Sequence, residues 1–99
     1  MTLPVVLRKS ARAELDEAFD WYEAQGAGLG VRFATWVQDT FDRIAFSPES
    51  YPVVTDDIRR AIVRRYPYAI YFRIRLQQIA ILTVVHTSQD PRVWQRRVT

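Results

Sequence analysis

The sequence has no cysteine, a single histidine (His86) and only three glycines in 99 residues. Without thiols there is no disulfide and no thiolate nucleophile. A zinc site would have to be assembled from one histidine and carboxylates, so no metal or other cofactor is expected. Long apolar runs are missing too. The longest charge-free run, Leu76 to Gln89, is too short for a membrane span and contains Gln, Thr, His and Ser. Met1-Thr2-Leu3-Pro4 offers neither the basic nor the apolar region of a secretory leader. These absences fit a soluble protein of the reducing cytoplasm with no membrane partner.

Further absences narrow the chemistry. Gly26, Gly28 and Gly30 join two helical segments rather than follow a strand, so no phosphate-cradling loop is present. No G-x-S-x-G elbow occurs. Ser88, His86 and Asp90 are too close in sequence to form a nucleophilic triad, and nothing near them supplies an oxyanion hole. The carboxylates lie mainly on helices, in positions that read as solvated faces.

What is abundant is arginine, and it is unevenly placed. Residues 1–55 hold five basic residues against eight acids, a balance of −3, whereas residues 56–99 hold nine arginines against three aspartates, a balance of +6. Arginine suits planar, bidentate contacts to phosphate or carboxylate, although a solvated basic sheet face has the same composition. The length fits a single domain over residues 1–99 with its own core.

Leu3–Arg8 reads as a short strand that Pro4 confines to an edge or a strand start. Ser10 is a candidate N-cap for a helix whose apolar positions are Ala11, Leu15, Ala18, Phe19 and Tyr22, ending near Gln25 before Gly26. A second helix spans about Leu29 to Phe46, with Phe33, Trp36, Val37, Phe41, Ile44 and Ala45 on its stripe, and stops at Ser47-Pro48. The short link makes the pair an antiparallel hairpin. Strand candidates follow at Val53-Val54, Ile58–Tyr66, Tyr68–Arg75 and Gln78–Thr87, close enough to pair as an antiparallel meander. The last is apolar on both faces, which places it inside the sheet. The expected fold is α+β: an N-terminal strand and a helical hairpin packed on one face of a small antiparallel sheet. The other face is expected to be partly open, carrying Tyr71, Arg73, Arg75 and some of Arg59 to Arg65. Trp94 is expected to anchor a polar tail, Ser88 to Thr99, against the domain.

Arginines interleaved with tyrosines on a sheet suit RNA in some folds, where aromatics stack on bases. Arginines would stabilise phosphorane charge while His86 or a tyrosine moved protons. His86 reads equally as a structural histidine at the sheet edge.

Taken in order, the pieces resemble a known family. They are Ala11-x-x-Glu14-Leu15-x-x-Ala18 ending in Trp21-Tyr22-Glu23, then Leu29-Gly30-x-Arg32-Phe33, then Ser47-Pro48-x-x-Tyr51-Pro52. Arg59-Arg60 and the run Arg64 to Phe72 follow, then an apolar strand to His86 and Asp90-Pro91-x-x-Trp94-x-x-Arg97. Their order and spacing are similar to toxins of the RelE/ParE superfamily from bacterial type II toxin–antitoxin modules, nearest the ParE-like branch. The resemblance implies a ParD-like antitoxin whose acidic C-terminal segment adds a helix, and sometimes a strand, to the toxin. It implies growth inhibition by binding DNA gyrase. The alternative it carries is ribosome-dependent mRNA cleavage of the RelE type, with Arg73, His86 and Tyr71 as catalytic groups. A third reading is a non-toxic interaction module that keeps the fold. Ala69, Gln89 and Trp94 stand where arginine, arginine and tyrosine are common in the family, which favours docking over catalysis. The implied target-binding residues are Arg64, Tyr68, Tyr71, Arg73, His86, Arg92, Trp94, Arg96 and Arg97.

Overall fold

A computed structural model describes residues 2–99. The chain runs through β1 (Val5–Leu7), α1 (Lys9–Gln25), α2 (Leu29–Phe46), a single 3₁₀ turn (Pro48–Ser50), β2 (Val53–Thr55), β3 (Ile58–Ile62), β4 (Tyr68–Arg75), β5 (Gln78–His86) and α3 (Pro91–Val98). The sheet order is β1-β5-β4-β3-β2. The meander β2 to β5 is antiparallel as expected, and β1 joins it parallel to β5, with Val5 opposite Ile79 and Leu7 opposite Ile81.

The chain passes from β1 into α1 with almost no connection. Arg8 N–H donates to Ile81 O at 2.9 Å, which keeps Arg8 extended, while its own carbonyl accepts from Arg12 N–H at 3.0 Å. The helix therefore starts at Lys9, and Ser10 lies inside the first turn instead of capping it. Between the helices Gly28 adopts φ +86, and Glu23 from the end of α1 accepts from the Gly28 and Gly30 N–H groups at 2.9 Å each. A carboxylate thus satisfies donors that the start of α2 leaves open. A Cβ on Gly30 would stand 2.8 Å from the Phe19 carbonyl oxygen, so glycine is what lets the helices approach there.

The helical hairpin buries Ala11, Ala18, Phe33, Val37, Phe41 and Ile44 against Ile70, Phe72, Ile79, Ile81 and Val84 of the sheet. The opposite face is open only at its margins, where Ile62 and Arg75 stay exposed. The polar tail holds a helix, α3, and Trp94 anchors it as expected: Val93, Trp94 and Val98 pack onto Ile58, Ala69, Tyr71, Leu82 and Val85. Asp90 caps it, accepting from Arg92 N–H at 2.9 Å, and Pro91 occupies the first turn, where its missing N–H costs nothing.

The turns use residues that seldom take left-handed backbone. Leu76 (φ +52) and Gln77 (φ +60) form the tip of the β4–β5 hairpin, and Arg65 (φ +70) sits between β3 and β4. That turn and Pro67 end β3 at Ile62, short of the Tyr66 expected from the apolar pattern. In β5 an extra residue, Leu82, is inserted between the pairs Tyr71–Thr83 and Phe72–Ile81. This bulge reverses the phase of the strand. Ala80 and Leu82 face α3, whereas Val84 faces the hairpin.

Candidate functional site

The nine sequence-predicted residues divide among four places. Tyr71 and Trp94 stack at 4.4 Å between ring centroids and 12° between planes, and Tyr71 is 3% exposed. Its expected place on an open face is corrected for a plain reason: α3 lies over it. What remains accessible of Tyr71 lies in a small pocket beside Trp94. Arg73 lies nearby, its guanidinium 3.1 Å from Asp57, with Nε buried and unpartnered.

Arg92 and Arg96 occupy the outer surface of α3. Arg92 clamps the cap residue Asp90 at 2.7 Å; this bond holds the Asp90 carboxyl below its usual range and raises the guanidinium of Arg92. Arg96 reaches back to the Arg92 carbonyl. Arg64 is at the β3–β4 turn, where it and Arg65 lie over the face of Trp36 at 5.6 and 4.9 Å. These are cation–π distances.

Tyr68, His86 and Arg97 do come together. They line a groove of about 420 Å³ between α1 and β5, facing Glu14, Glu17, Trp21 and Tyr22. The β5 bulge explains why His86 is here: it falls in phase with Val84 and meets Tyr68 edge-on at 5.2 Å. The Ser88 N–H and the Ser88 hydroxyl both meet His86 Nδ1, at 3.0 and 2.7 Å, and fix the orientation of the ring. Burial, then Tyr22, then Glu17 raise the Tyr68 phenol above its ordinary value.

Glu14 organises the floor of this groove. β1 covers β5 only as far as Ile81, leaving the outer edge from Val84 onward without a neighbour. There Glu14 accepts from Val84 N–H at 3.0 Å and from the Thr83 hydroxyl at 2.9 Å, and it pairs with Arg97 of α3. Arg8 Nη1 donates to the Arg97 carbonyl at 2.8 Å. The groove residues on α1 were not picked out from the sequence. The available signal was Trp21, which stands off the apolar stripe and is 58% exposed.

Of the three groups named for RNA cleavage, Tyr71 and His86 line a small pocket of about 120 Å³ together with Trp94, and Arg73 lies outside it. Tyr68 pairs with His86 and Arg73 with Ala80, so five residues of β4 separate Arg73 from the histidine. That is about 17 Å of strand. Tyr71 lies between them on the covered face. Among the described residues no group of three or more His, Asp or Glu is placed to hold a metal.

This architecture has a counterpart in sequence. The family model for the ParE toxin of the type II toxin–antitoxin system parDE matches residues 5–91. The chain belongs to the ParE toxin family. Its membership spans β1 to the first residue of α3 and makes it a type II toxin–antitoxin toxin by descent. Among curated proteins no relative matches it. Solved structures share the fold. A chain of the chromosomal ParDE system from P. aeruginosa superposes with a TM-score of 0.77 at 18% identity, covering 88% of this ParE-family chain and 98% of its own. A double mutant of the E. coli toxin RelE in the free state gives 0.71 at 14% identity, over 99% and 96% of the two chains. The toxin–antitoxin complex RelBE2 from Mycobacterium tuberculosis gives 0.61 at 22% identity, over 87% and 99%.

Proposed function

We propose that this ParE-family toxin inhibits growth by docking on its target, with DNA gyrase the target that the family resemblance implies, and that a cognate ParD-like antitoxin neutralises it in the cytoplasm. One observation carries the choice of docking over catalysis. Trp94 stacks on Tyr71 and, with the rest of α3, covers the middle of the sheet face on which a nuclease cluster would have to be exposed. The separation of Arg73 from His86 and the engagement of Arg73 with Asp57 support the same reading. What stays exposed is arginine on the outer face of α3 and at the β3–β4 turn, a surface suited to an acidic protein partner. The antitoxin proposal is supported by the relatives, one from a ParDE system and one from a RelBE2 toxin–antitoxin complex.

The test is a gyrase supercoiling assay beside a ribosome-dependent mRNA cleavage assay, both with purified protein. Inhibited supercoiling with intact mRNA is the expected result. Unchanged supercoiling with new codon-positioned cuts that vanish in His86→Ala or Arg73→Ala would overturn it in favour of the nuclease. If growth continues normally when the chain is expressed alone, both toxin readings fail and a silent interaction module remains.

A further inference from the structure

The groove between α1 and β5 has a local charge opposite to that of the chain. Three charged side chains line it: Glu14, Glu17 and Arg97. Glu14 and Arg97 pair with each other, and Glu14 is further occupied by Thr83 and Val84. This leaves the Glu17 carboxylate as the one uncompensated charge, since among the described residues it takes part in no ion pair.

The walls around it are aromatic. Trp21 meets Tyr22 edge-on at 5.0 Å, and Tyr22 lies 6.4 Å from Tyr68 at 60°. Glu17 is near enough to Tyr68 to contribute to the raised phenol pKa. A lone carboxylate beside electron-rich ring faces attracts a cation and repels an anion. Between cations, guanidinium is favoured over ammonium, because it is planar, stacks on aromatic faces and is less strongly hydrated. Beyond the end of β1, Val84 and His86 turn their backbone groups away from β4, in non-hydrogen-bonded pairs with Ile70 and Tyr68. Glu14 takes the Val84 N–H, and strand alternation places the His86 N–H on the same edge.

We infer that this groove seats a basic side chain, arginine before lysine, from a partner polypeptide lying along β5. That the partner is the antitoxin rests on the function proposed above. Such a partner is not uniformly acidic: it brings acidic groups to the arginine surface and at least one arginine to Glu17.

The probe is N-acetyl-arginine amide, titrated into the ¹⁵N-labelled protein, with the lysine, leucine and glutamate amides as comparisons. Saturable shifts of the Trp21 indole N–H and the His86 amide are expected with arginine, weaker ones with lysine, and none with leucine or glutamate. Glu17→Gln, at a solvated helix position, should weaken arginine binding by about five-fold, and Trp21→Ala by a similar factor. Equal shifts with the leucine or glutamate amide, or an unchanged affinity in Glu17→Gln, would overturn the inference. A second arm uses the purified cognate antitoxin, where Glu17→Arg should weaken association about ten-fold or more. If the antitoxin binds Glu17→Arg as well as the native chain, the cation seat is wrong while the antitoxin assignment stands. If the antitoxin does not bind the native chain, the assignment fails and the amide titration alone decides the seat.

Discussion

Replacing Trp94 by alanine should release α3 and uncover the sheet beneath it. An eight-residue helix is far below the length that is stable on its own in water, so α3 persists through its docking. Docking relies on Val93, Trp94 and Val98 together with the Arg97–Glu14 pair, and Trp94 is its largest apolar group. A buried aromatic covers about 150–250 Å², or about 4–6 kcal/mol at about 25 cal/mol per Å². Trp94 keeps some exposure and part of its surface is already covered in the unfolded chain, which together bring this to about 2–3 kcal/mol, and its stack on Tyr71 adds about 0.5–1.5 kcal/mol. A loss of about 3 kcal/mol in a domain near 100 residues lowers Tm by roughly 12–24 °C. Urea unfolding followed by far-UV circular dichroism measures the loss, and hydrogen exchange of the 92–98 amides reports whether α3 has come away. The urea slope should also fall, because Ala69, Tyr71, Leu82 and Val85 would already be exposed in the native state. Trp94→Phe should keep most of the stability. An unchanged urea midpoint in Trp94→Ala, with the α3 amides as protected as in the native chain, would refute the account of α3 as a lid held by its tryptophan.

Gly30→Ala gains about 1 kcal/mol of helix propensity but forces a Cβ against the Phe19 carbonyl at 2.8 Å, a strain of about 1–3 kcal/mol. A lower Tm is therefore expected, and a higher one would show that the helices can part freely. The double substitution Leu76→Asn, Gln77→Gly relieves two left-handed non-glycine residues at an exposed tip and should raise stability by about 1–2 kcal/mol, read as a higher urea midpoint. Glu23 is held below its ordinary range by the N–H groups of Gly28 and then Gly30. Its contribution is present above the unfolded-state value of about 4.3 and is lost as the pH falls through the lowered folded-state value. The stability gap between the native chain and Glu23→Gln should thus be widest near neutral pH and close in acid. A gap that stays constant across that range would contradict the capping role.

The helical hairpin was legible because apolar periodicity and glycine or proline punctuation agree. Leu29 to Phe46 is helical over the whole expected span, and the first helix begins one residue before Ser10 only because the β1 register holds Arg8. β4 was likewise readable from its alternation. Two features were not. α3 is amphipathic but has just three apolar contacts in eight residues, too short a run to stand out, although Asp90-Pro91 carries the signature of a helix start. The bulge at Leu82 leaves no mark in a strand that is apolar on both faces, yet it decides which side His86 takes. Alternation told which face Tyr71 occupies, but what covers that face is a matter of tertiary packing. Hence the basic–aromatic surface expected on one side proved to be a covered tyrosine, a paired arginine and a separate groove.

The ends of the sheet have a bearing on how the protein behaves when concentrated. Both outermost strands are only three residues long, and each is preceded by a proline, Pro4 before β1 and Pro52 before β2. Where β1 gives out, the Glu14 carboxylate occupies the Val84 N–H that a foreign strand would seek. Copies of the chain therefore have little backbone edge by which to stack on one another. The sheet is built against runaway self-association, and any partner that extends it must first compete with Glu14.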